Sequence, residues 1–195
     1  MKLVVGLGNP GERYASHRHN AGFLVTDHLA GECGISFGLH KFNGIIGRGI
    51  ISSVSVLIIK PQTYMNLSGV AVGQVARFFH LEPADVIVVH DDLDLSFGDI
   101  RIKIGGGDGG HKGVRSVIDH LGADFVRVRF GIGKPSEREP VEQYVLNPFS
   151  DSEMKMVPGL VERASNAVSE IISRGVQAAM NTCNVRRADG DREIL

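Results

Sequence analysis

Val86-Ile87-Val88-Val89-His90-Asp91-Asp92-Leu93-Asp94 is the stretch on which the fold turns. Its opening residues form a continuous apolar run with no polar alternation. Such a run suits a strand covered on both faces, as in the parallel sheets of α/β proteins. It ends in a histidine and three carboxylates. Ligand sites of open α/β sheets lie beyond the carboxyl ends of their strands, so residues 90–94 are the first candidate site. Leu3–Leu7 has the same buried character. Gly44–Ile51 and Val54–Lys60 are β-rich runs split by Ser52-Ser53, a hairpin signal, and Pro61 closes the second. Arg101–Ile104 is short and alternating. Phe125–Gly131 alternates apolar residues with Arg127 and Arg129, which predicts one apolar and one basic face.

Helices fall between these runs. Asn20 is a candidate cap for a helix reaching about Cys33, with Leu24, His28 and Leu29 on one face. No strand is expected between it and about Gly44. Val72, Val75, Ala76 and Phe79 recur at helical spacing within Leu67–His80, as do Val114, Val117, Ile118 and Leu121. Ser150-Asp151-Ser152-Glu153 is a capping box. It predicts the start of a helix carried on by Val157, Leu160, Val161, Ala164, Val168 and Ile171 and ended by Gly175. A last helix is expected around Val176–Asn184. The strands and helices interleave without a linker. The expectation is one α/β domain over residues 1–187, with a mixed, mostly parallel twisted sheet flanked by helices, and a charged flexible tail over 188–195.

Composition narrows the function. Of 195 residues, 43% are hydrophobic and the formal net charge is −1, which excludes a disordered chain and a globally basic one. Any nucleic-acid site must be a local patch. The two cysteines, Cys33 and Cys183, form no disulfide framework and no metal-ligand spacing. The first residues lack a signal-peptide apolar region, and no run reaches the ~20 residues of a membrane span. A cytoplasmic protein with no membrane partner is expected. There are 25 glycines, well above the usual ~7%, so many backbone positions require positive φ or close approach.

Four motifs carry candidate chemistry. Gly6-Leu7-Gly8-Asn9-Pro10-Gly11 matches a dinucleotide fingerprint, but residues 12–20 are polar and no βαβ unit follows. A tight strand-to-loop turn is the plainer reading. His19, in Arg18-His19-Asn20-Ala21-Gly22, precedes a helix N-terminus, whose partial positive charge favours a neutral imidazole and hence a base. Asp91, Asp92 and Asp94 could offer hard ligands to a metal. Against this, strand alternation sends neighbouring Asp91 and Asp92 to opposite faces. Alternatively one aspartate orients a histidine, and His19 is the partner if the strands at Leu3 and Val86 are adjacent. There is no G-x-S-x-G elbow and no reactive-cysteine signature, so a base-activated water is expected. Gly105–Gly110 holds five glycines in six residues before a helix start, a concave surface of backbone N–H groups suited to an anion or a peptide. From Arg101 to Lys134 there are seven Lys/Arg against three Asp, a local excess of +4 that points to a phosphate-binding face.

In order along the chain stand Gly6–Gly11, Tyr14, Arg18–Gly22, Lys60-Pro61, Tyr64-Met65-Asn66-Leu67-Ser68-Gly69, His90–Asp94, Gly105–His111 and Arg129-Phe130-Gly131-Ile132-Gly133. Together they resemble the bacterial-type peptidyl-tRNA hydrolases, up to about residue 186. The resemblance implies a monomeric esterase, independent of metals and cofactors. Its substrate is peptidyl-tRNA released prematurely from ribosomes. It assigns catalysis to His19 and Asp91, and substrate positioning to Asn9 and Asn66. Tyr14, Tyr64, Met65, His111 and Lys112 join the substrate-binding set, and Lys103, Arg129 and Arg138 the tRNA-contacting one. Lys112 stands where the family usually has asparagine. Two alternatives stay open: a non-catalytic RNA-binding relative of the same fold, and a metal-dependent phosphoesterase built on Asp91–Asp94.

Overall fold

A computed structural model describes residues 1–185, so the tail expected over 188–195 lies outside the described residues. Seven strands form one sheet: β1 (Lys2–Gly6), β2 (Phe37–Lys41), β3 (Gly44–Ile51), β4 (Val54–Pro61), β5 (Val86–Asp92), β6 (Ile100–Ile104) and β7 (Val126–Gly131). Their order is β2-β3-β4-β1-β5-β7-β6. The sheet is parallel through its four central strands and antiparallel at both edges. β5, which takes up residues 86–92 of the opening stretch, sits near the centre beside β1, so the adjacency that the His19–Asp91 pairing requires is present.

Among the described residues, seven α-helices accompany it: α1 (Ala21–Glu32), α2 (Ser68–Phe78), α3 (Lys112–Leu121), α4 (Val141–Leu146), α5 (Asp151–Met154), α6 (Val157–Arg174) and α7 (Val176–Cys183). Strand alternation splits the core in two. Val4, Ile58, Ile87 and Val89 face one way, against Val25 and Leu29 of α1 and Leu160, Ala164 and Val168 of α6. Leu3, Val5, Leu57 and Val88 face the other way, against Val72 and Val75 of α2 and Val114 and Val117 of α3. None of the described helices is long and apolar enough to cross a membrane.

Several expectations shift. β2 was not expected. It is a mostly exposed edge strand paired antiparallel to β3, not the second strand of a βαβ unit, so the dinucleotide reading still fails. The buried face of α1 runs through Ala21, Val25 and Leu29, while Leu24 and His28 are only half-buried. Ser150 and Glu153 do form a capping box, but it serves the four-residue α5. The chain breaks before α6, whose first turn contains Pro158, a residue with no N–H to continue an incoming helix. The Ser52-Ser53 turn is as expected, with both residues at positive φ as a two-residue hairpin demands.

The motif at Gly6 works by proximity. A Cβ on Gly6 would lie 2.5 Å from the Gly22 carbonyl oxygen, and one on Gly22 would lie 2.4 Å from both the Leu7 nitrogen and the Val89 oxygen. Only hydrogen fits at either position. The first turn of α1 therefore rests directly on β1 and β5, and the turn carrying His19 comes with it. Gly22→Ala is expected to cost about 2–3 kcal/mol through backbone overpacking. The check is a lowered urea midpoint at unchanged m-value.

Candidate active site

Asp91 is the penultimate residue of β5 and only 2% exposed. His19, in the 3₁₀ turn Arg18–Asn20, places Nδ1 2.9 and 3.0 Å from its two carboxylate oxygens. His111, the N-cap of α3, places Nε2 3.0 Å from Oδ1. The hydrogen-bond pattern assigns the tautomers. His111 Nδ1 accepts the Gly113 and Val114 amides at 3.1 and 3.2 Å, so its proton is on Nε2 and is donated to Asp91. An ionised carboxylate only accepts, so His19 Nδ1 also donates. That leaves His19 Nε2, with its lone pair, as the nitrogen for the cleft. Burial alone would raise the Asp91 pKa. The His19 and His111 imidazoles outweigh it and hold the carboxyl well below the usual range.

A third histidine supports this pair. The buried ring of His90 lies edge-on to His111 at 5.0 Å, and its Nδ1–H donates to the Asp91 carbonyl at 2.7 Å. Its Nε2 has no hydrogen-bond partner among the described residues. Burial, then the nearby His111, push its pKa down to about 3, so the ring is neutral at pH 7.

Asn9 follows β1 and is held on both sides. Its backbone N–H donates to Asn20 Oδ1 at 2.9 Å, and Asn20 Nδ2 returns a bond to the Asn9 carbonyl at 3.0 Å. Asn20 thus spends its side chain on Asn9 rather than on capping α1. The Met65 amide donates to Asn9 Oδ1 at 2.8 Å. With that oxygen engaged, Asn9 Nδ2 is left as a donor at the cleft.

The cleft over this floor has a volume of about 640 Å³. Eight expected residues line it: Asn9, His19, Tyr64, Met65, Asn66, Asp91, His111 and Lys112. Tyr14 does not; it lies edge-on to His17 with Arg13 over its ring. Lys103, Arg129 and Arg138 also lie outside it. Sequence reasoning missed the wall made by Val141, Glu142, Val145 and Leu146 of α4, for which the only signal was the i, i+4 pair Val141/Val145. Asp92, Leu93 and Asp108, which fall within the candidate stretches 90–94 and 105–110, line the cleft as well. Lys112 pairs across the mouth with Glu142, both well exposed.

The wall is tied to the base through Arg18. Its guanidinium lies 2.6 Å from Glu153 Oε2, donates to the Pro148 carbonyl and stacks over Tyr144 at 4.3 Å. Its backbone N–H bonds the Asn147 carbonyl.

The three aspartates do not converge. Asp92 pairs with Arg129 at 2.6 Å and Asp94 with Lys134 at 3.1 Å. His19, Asp91 and His111 do cluster closely enough to ligate a cation, but both ring protons are already committed to Asp91, and an ion would have to displace them. On β6 and β7, Arg101 stands opposite Arg129 and Lys103 opposite Arg127. Four cations on one face of a ribbon repel one another. Arg127 is buried and bound to the Gly106 and Gly107 carbonyls, pinning the glycine loop rather than facing solvent. Lys103 is exposed, and Arg129 keeps two terminal nitrogens beyond its bond to Asp92.

A pH dependence of stability follows from His90. Its folded-state pKa of about 3 lies below the unfolded ~6.5. The unfolded chain therefore binds the extra proton within that window, and stability falls as pH drops below ~6.5. Asp91, with its depressed pKa, loses its contribution only below the unfolded ~3.9. The melting temperature should fall between pH 7 and pH 4.5. It should fall less steeply in His90→Asn, whose amide can keep the bond to the Asp91 carbonyl. Parallel slopes would contradict the assignment.

The sequence profile described as peptidyl-tRNA hydrolase matches residues 3–191. The chain is 46% identical over 187 residues to the peptidyl-tRNA hydrolase of Syntrophotalea carbinolica, covering 95% of this chain and 98% of that one. It is 50% identical over 181 residues to that of Mycobacterium avium, covering 92% and 95%. The crystal structure of the Acinetobacter baumannii peptidyl-tRNA hydrolase superposes with a TM-score of 0.91 at 41% identity, over 96% of each chain. With its floor of paired histidine and aspartate, and matches that run nearly end to end, the chain belongs to the peptidyl-tRNA hydrolase family.

Proposed function

We propose that the cleft hydrolyses the ester joining peptide to tRNA, with His19 as general base. The observation that carries this reading is the direct Asp91–His19 bond, which leaves Nε2 free at the cleft floor. His19 Nε2 takes a proton from water as the oxygen attacks the ester carbonyl. Asp91 holds the tautomer and stabilises the imidazolium that forms. Asn9 Nδ2 and the amide of Asn66 donate to the tetrahedral oxyanion. Collapse breaks the bond to the ribose oxygen, which recovers the proton from His19. The products are a peptide acid and free tRNA. A base of this kind contributes ~10²–10⁴-fold, and one oxyanion donor a further ~10²–10³-fold.

Lys103, Arg129 and Arg138 are the phosphate contacts in this reading; they stand outside the cleft, on β6, β7 and the loop after β7. Tyr64, Met65, His111 and Lys112 hold the substrate near the ester. The exposed Lys112–Glu142 pair is one that solvent screens and that opens readily. Lys112→Asn is therefore expected to change KM more than kcat. A monomer working in the cytoplasm, without metal, completes the proposal.

His19→Ala should lower kcat by at least ~10²-fold with tRNA binding retained. Asp91→Asn should also lower it, and the double variant should be far from additive. Wild-type turnover in His19→Ala would overturn the mechanism, and loss of activity in EDTA would favour a metal at the histidine–aspartate cluster. Lys103→Ala should raise KM and flatten the log–log salt dependence of binding by ~0.7–0.9 for the lost contact. An unchanged slope would move the phosphate face elsewhere.

A further inference from the structure

α2 carries a surface that the mechanism leaves unused. Leu67 adjoins Asn66 on the cleft wall and is 49% exposed. Val70, Gln74 and Phe78 follow at helical spacing on the same face; Val70 and Gln74 are half-buried and Phe78 is 57% exposed. The stripe runs about 16 Å, at ~1.5 Å per residue. It ends in an open groove formed by Phe42, Asn43, Gln74, Arg77 and Phe78. Lys41 Nζ lies 4.9 Å from the ring centres of both Phe42 and Phe78. Among the described residues, neither Lys41 nor Arg77 is in an ion pair, and no carboxylate lines the groove.

Two details fix the shape of the groove. Phe42 and Asn43 form the two-residue turn between β2 and β3, which sets Phe42 at φ 56 and places it at the groove. Asn43 donates to Gln74 Oε1 at 3.0 Å, and its carbonyl accepts the Gln62 amide at 2.8 Å. Gln62 is two residues from Tyr64, so the groove and the cleft wall share one short segment.

We infer that the stripe and groove bind the peptide half of the substrate, and that the groove takes an aromatic or acidic side chain about five residues from the ester, at ~3.3 Å per extended residue. This rests on the proposed cleft chemistry and on phosphates lying at β6 and β7. An ester has RNA on one side of the scissile bond and peptide on the other. With the RNA at the β6–β7 edge, the peptide leaves toward β4, β3 and α2. The aromatic rings provide apolar area, and the two free cations match a carboxylate.

The test uses two substrates on the same tRNA: an acetylated dipeptide, too short to leave the cleft, and an octapeptide with Asp-Phe at the fifth and sixth residues from the ester. Phe78→Ser and Arg77→Glu should each lower kcat/KM for the octapeptide about 5- to 10-fold and leave the dipeptide unchanged. An octapeptide of glycine and serine should be insensitive to both substitutions. Equal losses on long and short peptides, or no loss on either, would overturn the inference. So would weaker binding of deacylated tRNA by Arg77→Glu, which would make the groove an RNA contact. The dipeptide keeps the two readings apart: if wild-type protein cleaves it, the cleft chemistry stands whatever the groove does.

Discussion

A carboxylate withdrawn almost completely from water organises this protein. An isolated buried charge is costly enough that the fold must supply partners, and Asp91 has two imidazoles on its oxygens. Those partners come from different places: His19 from a turn before α1, His111 from the start of α3. Each arrives through backbone that has been cleared for it. Gly6 and Gly22 let α1 settle on the sheet, and the His111 ring is fixed because its other nitrogen caps its own helix. Removing the carboxylate would leave two ring donors facing each other in a dry site. The same interaction therefore supports both the packing and the protonation state of the base.

Much of the architecture was readable from patterns with one physical cause each. The buried run at Val86 marked the central strand, and the two-serine turn marked the β3–β4 hairpin. The elements that escaped notice lack such a cause. β2 is exposed on nearly every residue, so no burial pattern betrays it; it exists because β3 offers it an edge. α4 is six residues long, too short for periodicity to emerge, and is held by Arg18 against Tyr144. Within the site, His19 and Asp91 stood out because chemistry restricts what can occupy such positions, whereas Asn9 was marked by the family resemblance alone. The apolar wall of Val141, Val145 and Leu146 could be any hydrophobic residues, and so carried no signal beyond the i, i+4 pair Val141/Val145.

Arginine shows the limits of charge counting. The excess between Arg101 and Lys134 is real, yet its members do different work. Arg127 is an internal strut for the glycine loop, Arg129 is half-neutralised by Asp92, and Lys103 alone of the three faces solvent without an anionic partner. A formal sum of charges says that a face is positive. Which cation is available depends on backbone carbonyls that no composition reveals.

One oxygen atom links the far end of the cleft wall to the base. Glu153 Oε2 accepts both the Ser150 amide of the α5 capping box and the Arg18 guanidinium. Selection acting on that residue cannot separate the start of α5 from the placement of His19. Changes at Ser150, far from any reacting atom, would thus be expected to show epistasis with changes at Arg18. Drift in this corner of the family should proceed by paired substitutions rather than single ones.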